Sequence, residues 1–124
     1  MILGIGVDIV DISRIRSVYK RHGERFLKRA FTRGEVTYCL KKHDPIPSLA
    51  ARFAAKEALV KSLGTGFSMG IGFKDIEVDR SKGRPYIRLD GNARKQASEM
   101  NVSGIHLSLS HEKGHAVAVV IIEK

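Results

Sequence analysis

The stretch "IHLSLSHEKGHAVAVVII", residues 105–122, constrains the fold more than any other part of the chain. In "IHLSLSH" polar and apolar residues alternate, which puts His106, Ser108 and Ser110 on one face of a strand and Leu107, Leu109 and His111 on the other. "EKG" is a short connection whose glycine can take the left-handed position of a hairpin loop, and "HAVAVVII" then returns as a second strand. The rest of the chain must supply the elements that cover this hairpin.

Those elements are readable in order. "ILGIGVDIV" near the N-terminus reads as a buried strand in which Asp8 is the exception. Asp11 is an N-cap for a helix over about 12–21, Gly23 breaks that helix, and a short helical piece carries Phe26 and Leu27. Thr32 followed three residues later by Glu35 is a capping box, so a helix is expected over 33–40. "KKHDPIP" is a loop, Pro47 and Ser48 open a helix, and Gly64 closes it. "DIEVD" and "PYIRL" read as strands around the turn "RSKG", and Asp90 caps a helix over roughly 91–100. The expected fold class is α+β, a small antiparallel sheet packed with helices.

A chain of 124 residues suits one domain, 1–124, and a hydrophobic share of 43% supplies a core without a disulfide framework. The single cysteine, Cys39, has no internal partner and no paired zinc motif around it, which points to a reducing, cytoplasmic setting. The apolar N-terminus lacks a basic region and meets Asp8 early, so it does not read as a signal peptide. "AVAVVII" is far shorter than a membrane span, so a soluble protein without a membrane partner is expected.

Twenty-two Lys and Arg against thirteen Asp and Glu give a formal net charge of +9, which implies an anionic partner or substrate. Arg14, Arg16, Lys20, Arg21, Arg25, Lys28, Arg29 and Arg33 crowd into twenty residues opposed only by Glu24. Such density is usually a solvated face, but mutual repulsion favours an anionic surface that neutralises it. Phe26 and Leu27 interrupt the run, which suits a protein partner better than a phosphate backbone, and aromatics at 6% provide no stacking platform for single-stranded nucleic acid.

On the helix 48–64, Phe53, Glu57, Val60, Lys61 and Gly64 share one side, while Ala51, Ala55, Ala58, Leu59 and Ser62 fall roughly opposite as a close-packing stripe. Glu57 and Lys61 taken alone are an i, i+4 surface pair worth about 0.3–0.5 kcal/mol. Asp8 alone is a strand residue that has reached the surface. Together, a strand-end carboxylate and a helix carboxylate are a common way to hold Mg²⁺, which takes few protein ligands and leaves positions for phosphate oxygens. "GTG", residues 64–66, is first a helix C-cap and turn and does not match a Walker A loop. It follows a helix C-terminus, where the dipole disfavours anions, so phosphate binding there would rest on loop amides and on Lys56 or Lys61. His106, Ser108, Ser110 and His111 match no nucleophile elbow, and His111 with His115 lacks a third metal ligand. Hydrogen bonding to a bound ligand is the preferred reading.

Three segments, "GIGVDIVDISRI" (4–15), "RFAAKEALVKSLGTG" (52–66) and "IHLSLSHEKGHAVAVVI" (105–121), together resemble the holo-acyl-carrier-protein synthases, the short class of 4'-phosphopantetheinyl transferases. The resemblance runs the length of the chain. It implies that fold, and transfer of the 4'-phosphopantetheine arm of coenzyme A to a serine of acyl carrier protein, with release of adenosine 3',5'-bisphosphate. It further implies that Asp8 and Glu57 hold Mg²⁺ and that Lys61 neutralises the coenzyme A diphosphate. Arg52, Lys56, Gly64, Thr65, Gly66 and His106, with Ser108 and His111, would line the coenzyme A pocket. Arg14, Arg21, Arg25 and Phe26 would dock the acidic carrier, and a homotrimer would build each site between subunits. Either Glu57 or a water on the metal would take the serine proton. A nucleic-acid-binding protein would explain the charge but not Asp8 and Glu57, and an adaptor for an acidic protein would leave the helix 48–64 without a role.

Overall fold

A computed structural model describes residues 1–124. The chain runs β1 (Ile2–Asp11), α1 (Ile12–His22), α2 (Glu24–Ala30), α3 (Arg33–Leu40), α4 (Ile46–Leu63), a 3₁₀ turn (Phe73–Asp75), β2 (Ile76–Asp79), β3 (Tyr86–Leu89), α5 (Gly91–Glu99), β4 (Gly104–Glu112) and β5 (His115–Glu123). The α+β class holds, but the strands form two sheets instead of one. β1, β5 and β4 make an antiparallel sheet in that order, and β2 pairs only with β3.

The helix ends follow the chemistry that the sequence announced. The Asp11 carboxylate accepts the Ser13 N–H at the start of α1, and the Thr32 and Glu35 side chains form a reciprocal capping box at α3. α4 begins two residues before the expected Ser48, because the Asp44 carboxylate accepts the Ile46 N–H at 3.1 Å and Pro47 is tolerated in the first turn. Gly64 ends the helix at φ 79°, a left-handed position that glycine takes without cost.

α4 lies across one face of the three-stranded sheet. From β5 that face presents Ala116, Ala118, Val120 and Ile122, all fully buried. Burying each large aliphatic side chain contributes about 1.5–3 kcal/mol. From β1 it presents Gly4 and Gly6, where a Cβ would stand 2.0 Å from the Ser62 carbonyl oxygen and 1.8 Å from that of Ala58. Strand backbone therefore touches helix backbone, and the stripe containing Ala58 and Ser62 is the other half of that contact. A core of 27 buried residues joins this layer to the smaller elements.

The expectation of a wholly buried β1 is corrected. Its other face carries Ile5, Val7 and Ile9, which are 62%, 51% and 65% exposed. In register beside them on β5 are Ile121, Val119 and Val117, and beyond these on β4 are His106, Ser108 and Ser110. A nine-residue run of mostly apolar residues looked buried on both faces, whereas helices cover only one. No helix is long and apolar enough to cross a membrane.

Candidate functional site

Where β1 passes α4, a cleft of about 380 Å³ opens between β1, α1 and α4, lined by Asp8, Arg14, Phe26, Phe53, Glu57 and Lys61 among others. Asp8 shares the α4-facing side of β1 with Gly6 and Val10, so the close strand–helix contact also delivers its carboxylate to the helix. Phe53, Glu57 and Lys61 recur at four-residue spacing and reach the cleft from one side of α4, as expected. Val60 does not join them, being 1% exposed in the core.

Lys61 does not pair with Glu57. Its ammonium lies 3.0 Å from Asp8 Oδ1 and 3.1 Å from the Val7 carbonyl oxygen, tying the helix to the strand. Burial holds the Glu57 carboxyl above the ordinary carboxylate range, and the neighbouring charge of Asp8 raises it further. Burial and the charge of Asp8 both disfavour the ionised Glu57 carboxylate, and a cation in the cleft would offset that cost. Their hard oxygens fit Mg²⁺, which is commonly held by one or two carboxylates together with water and substrate phosphates.

The structure separates several residues that the sequence reading placed together. Lys56, expected to reach phosphate, is fully buried. Its Nζ donates to Glu35 Oε1 at 2.7 Å, to the Ala30 carbonyl at 2.8 Å and to the Phe73 carbonyl at 3.0 Å, so all three protons are spent. The reading of Lys56 as a phosphate partner is corrected to a core ion pair. A signal for this was present: Leu49, Arg52, Lys56, Leu59 and Leu63 recur at spacings of three and four, so Arg52 and Lys56 lie on an apolar stripe.

Arg52 is also buried, with Nη1 on the Ser48 carbonyl at 3.2 Å and its guanidinium 4.5 Å from the Tyr38 ring centre. Its Nε is buried without a partner. It lines not the Asp8 cleft but a separate cavity of about 340 Å³ with Arg80 and Arg88. The loop amides also behave differently from expectation. The N–H of Gly64 goes to Lys61 O, and those of Thr65 and Gly66 both go to Val60 O, so helix capping uses them and none is left to cradle phosphate. Open space beside Gly64 and Gly66 still leaves room for close approach.

His106 and Ser108 lie on the solvent face of β4, and His106 Nε2 is 2.7 Å from Glu123 Oε1. That contact lowers the Glu123 carboxyl below its ordinary range. His111 is exposed near the hairpin end, on the opposite face from His106. β5 separates β4 from β1, so these residues do not enter the cleft of their own chain. Arg14 lines the cleft itself, while Arg25 and Phe26 line a shallow pocket beside it, and Arg21 is exposed nearby in sequence on α1. Phe26 borders both, packing edge-on against Phe31 at 5.5 Å between ring centres. Arg16 leaves the free basic run, because Asp44 holds it through both terminal guanidinium nitrogens at 3.2 and 2.7 Å.

Comparison with known proteins gives this geometry a lineage. The family description "4'-phosphopantetheinyl transferase superfamily" matches residues 4–120. A holo-[acyl-carrier-protein] synthase of Halothermothrix orenii is 51% identical over 125 residues, spanning 100% of this chain and 99% of that protein. The crystal structure of a holo-[acyl-carrier-protein] synthase from Neisseria meningitidis superposes with a TM-score of 0.92 at 36% identity, covering 100% of both chains. That of the Helicobacter pylori enzyme in complex with coenzyme A superposes at 0.84 with 36% identity, covering 96% of this chain and 99% of that one. With the match spanning nearly every residue and the fold agreeing throughout, the chain belongs to the 4'-phosphopantetheinyl transferase superfamily, among the holo-[acyl-carrier-protein] synthases.

Proposed function

We propose that this chain transfers the 4'-phosphopantetheine group of coenzyme A to a serine hydroxyl of acyl carrier protein, releasing adenosine 3',5'-bisphosphate, in the Mg²⁺-dependent manner that serves fatty acid biosynthesis. The observation that carries this reading is the cleft in which Asp8, Glu57 and Lys61 converge beside a basic helix. Asp8 and Glu57 would hold the metal, and when bound it supplies charge stabilisation to the diphosphate oxygens. Lys61 supplies a further positive charge for the developing and leaving oxygens. Glu57 lies in the same cleft, where a carboxylate could accept the serine proton.

The coenzyme A reading extends to Arg52, whose orphaned Nε and neighbour Arg80 offer positive charge to a phosphate while Arg88 is held by Glu77 and Asp79, and to the open loop at Gly64, Thr65 and Gly66. His106, Ser108 and His111 join this reading only if a second subunit brings them to the cleft, since they stand two strands away from Asp8. The apolar face of Ile5, Val7 and Ile9 beside Val117, Val119 and Ile121 supports such assembly, because monomeric proteins rarely leave a contiguous patch of this kind in water. The family resemblance makes that assembly a homotrimer with sites between subunits, and we read the whole chain as one transferase domain. Arg14, Arg21, Arg25 and Phe26 would receive the acidic carrier. One unpaired cysteine suits a cytoplasmic location.

Incubation with coenzyme A, Mg²⁺ and apo carrier tests the central claim by intact mass of the carrier. An increase equal to one phosphopantetheine group is expected, dependent on Mg²⁺. A folded protein that leaves the carrier mass unchanged refutes it.

A further inference from the structure

Lys61 already has a carboxylate before any phosphate arrives. Its ammonium engages Asp8 Oδ1 and the Val7 carbonyl, with the lysine side chain 52% exposed and that of Asp8 only 15% exposed. Resting on the reading of Asp8 and Glu57 as metal ligands, we propose that Lys61 is a surrogate counter-ion. It holds Asp8 in the metal-free protein, yields that carboxylate when a divalent cation takes it, and is thereby released toward an anionic substrate.

Three observations carry this. The cleft is lined by two carboxylates, Asp8 and Glu57, and Lys61 is the cation bonded to the first of them. A divalent ion on Asp8 would stand beside an ammonium 3.0 Å from that same carboxylate, and like charges at such distances repel, here weakened by the exposure of Lys61. Finally, a half-exposed lysine on a flexible four-carbon stem can swing away without disturbing α4, and its compact charge lacks the bidentate grip of an arginine fork. The strand and the helix need not move, because the direct contact of Gly4 and Gly6 with the carbonyls of Ser62 and Ala58 fixes their spacing independently.

The device therefore couples two binding events through one side chain. An ion pair of this exposure lowers the affinity of a competing cation by a factor of about two to five. That is enough to keep the cleft neutralised without excluding the metal. The freed ammonium then meets the diphosphate only after the metal is seated.

Calorimetric titration of the full chain with Mg²⁺ alone, and again in coenzyme A if no heat appears, is the first measurement. Lys61→Met is expected to bind Mg²⁺ about two to five times more tightly than the parent. Arg14→Met, which removes another cleft cation that is not bonded to Asp8, is expected to change the affinity less. The second measurement is direct: lysine Nζ resonances are followed by NMR during the Mg²⁺ titration, with Lys61 assigned by its absence in Lys61→Met. The Lys61 signal should move with the calorimetric midpoint. Binding of Mg²⁺ with a stationary Lys61 signal, or an equal response in the Lys61 and Arg14 variants, overturns the surrogate role alone. Absence of Mg²⁺ binding in every protein, with and without coenzyme A, overturns the metal reading and this proposal together.

Discussion

Lys56 Nζ and Glu35 Oε1 meet at 2.7 Å with both side chains fully excluded from solvent. Desolvation lowers the affinity of Lys56 for its proton, while Glu35 opposes that effect. The pair survives because each polar atom of the two side chains is answered. Besides Lys56, Glu35 accepts the Thr32 N–H through Oε1 and the Val78 N–H through Oε2, so one buried cluster joins α2, α3, α4, the 3₁₀ turn and β2.

Removing one partner leaves the other charge stranded. Lys56→Met should therefore destabilise the protein by about 3–5 kcal/mol, measured as a lower midpoint in urea with little change of slope. A loss below about 1 kcal/mol would show that solvent reaches the pair and that it does not anchor the core.

Gly6→Ala tests the contact that sets the cleft. A methyl group at a position 1.8 Å from a backbone carbonyl must push β1 away from α4, at a cost of at least 1–3 kcal/mol by the usual scale of overpacking, ~3 or more here because backbone is the obstacle. Since Asp8 rides on the same strand two residues on, transfer activity should fall together with the melting temperature. Activity intact in a folded Gly6→Ala protein would mean that the strand–helix spacing does not position Asp8.

Cys39 offers a check on the packing of α3 against α4. Burial pushes its thiol up to about 11, so almost none is thiolate at pH 8. Iodoacetamide should leave the native protein unlabelled over hours and label it within minutes in denaturant, as read by intact mass. Rapid native labelling would place Cys39 in an opening segment.

Carrier docking should be electrostatic. Arg21 and Arg25 are exposed, whereas Arg16 is committed to Asp44. Arg25→Glu is expected to raise KM for the carrier about tenfold at low salt with kcat nearly unchanged, and the difference should shrink as ionic strength rises. A salt-independent KM in the parent protein would contradict this docking surface.

Local features carried the fold into view, and long-range ones did not. The capping box at Thr32 and Glu35, the Asp11 cap and the 104–123 hairpin are encoded within a few residues, so their positions were legible. Sheet order is not local: nothing in "IHLSLSH" tells that β5 separates it from β1, and so His106 and Ser108 could not be placed relative to Asp8. Lys56 was misplaced for a similar reason. Its acceptors come from Ala30, Glu35 and Phe73, up to 26 residues away, and only the apolar stripe around it hinted at burial. In contrast, Glu57 and Lys61 were legible because their cleft face is a matter of helical period, although the partner of Lys61 proved to be Asp8.

Glu57 ties stability to pH in a direction opposite to a paired carboxylate. Burial first, and the charge of Asp8 second, raise its proton affinity in the folded chain above the unfolded value of about 4.3. Between that value and the higher folded one, the native state binds more protons than the unfolded state, so stability falls as pH rises through that window. Above the window the ionised carboxylate imposes a constant cost. Glu57→Gln removes it. In metal-free buffer the variant should melt above the parent at pH 8, and the two should converge below pH ~4, where the parent carboxyl is protonated. Mg²⁺ should raise the melting temperature of the parent and not of the variant, because only a state that binds the ion gains from it. Transfer should be lost in the variant at every pH. Equal melting of the two proteins across the pH range would mean that neither burial nor Asp8 penalises the Glu57 charge, and the paired-carboxylate reading of the cleft would fall.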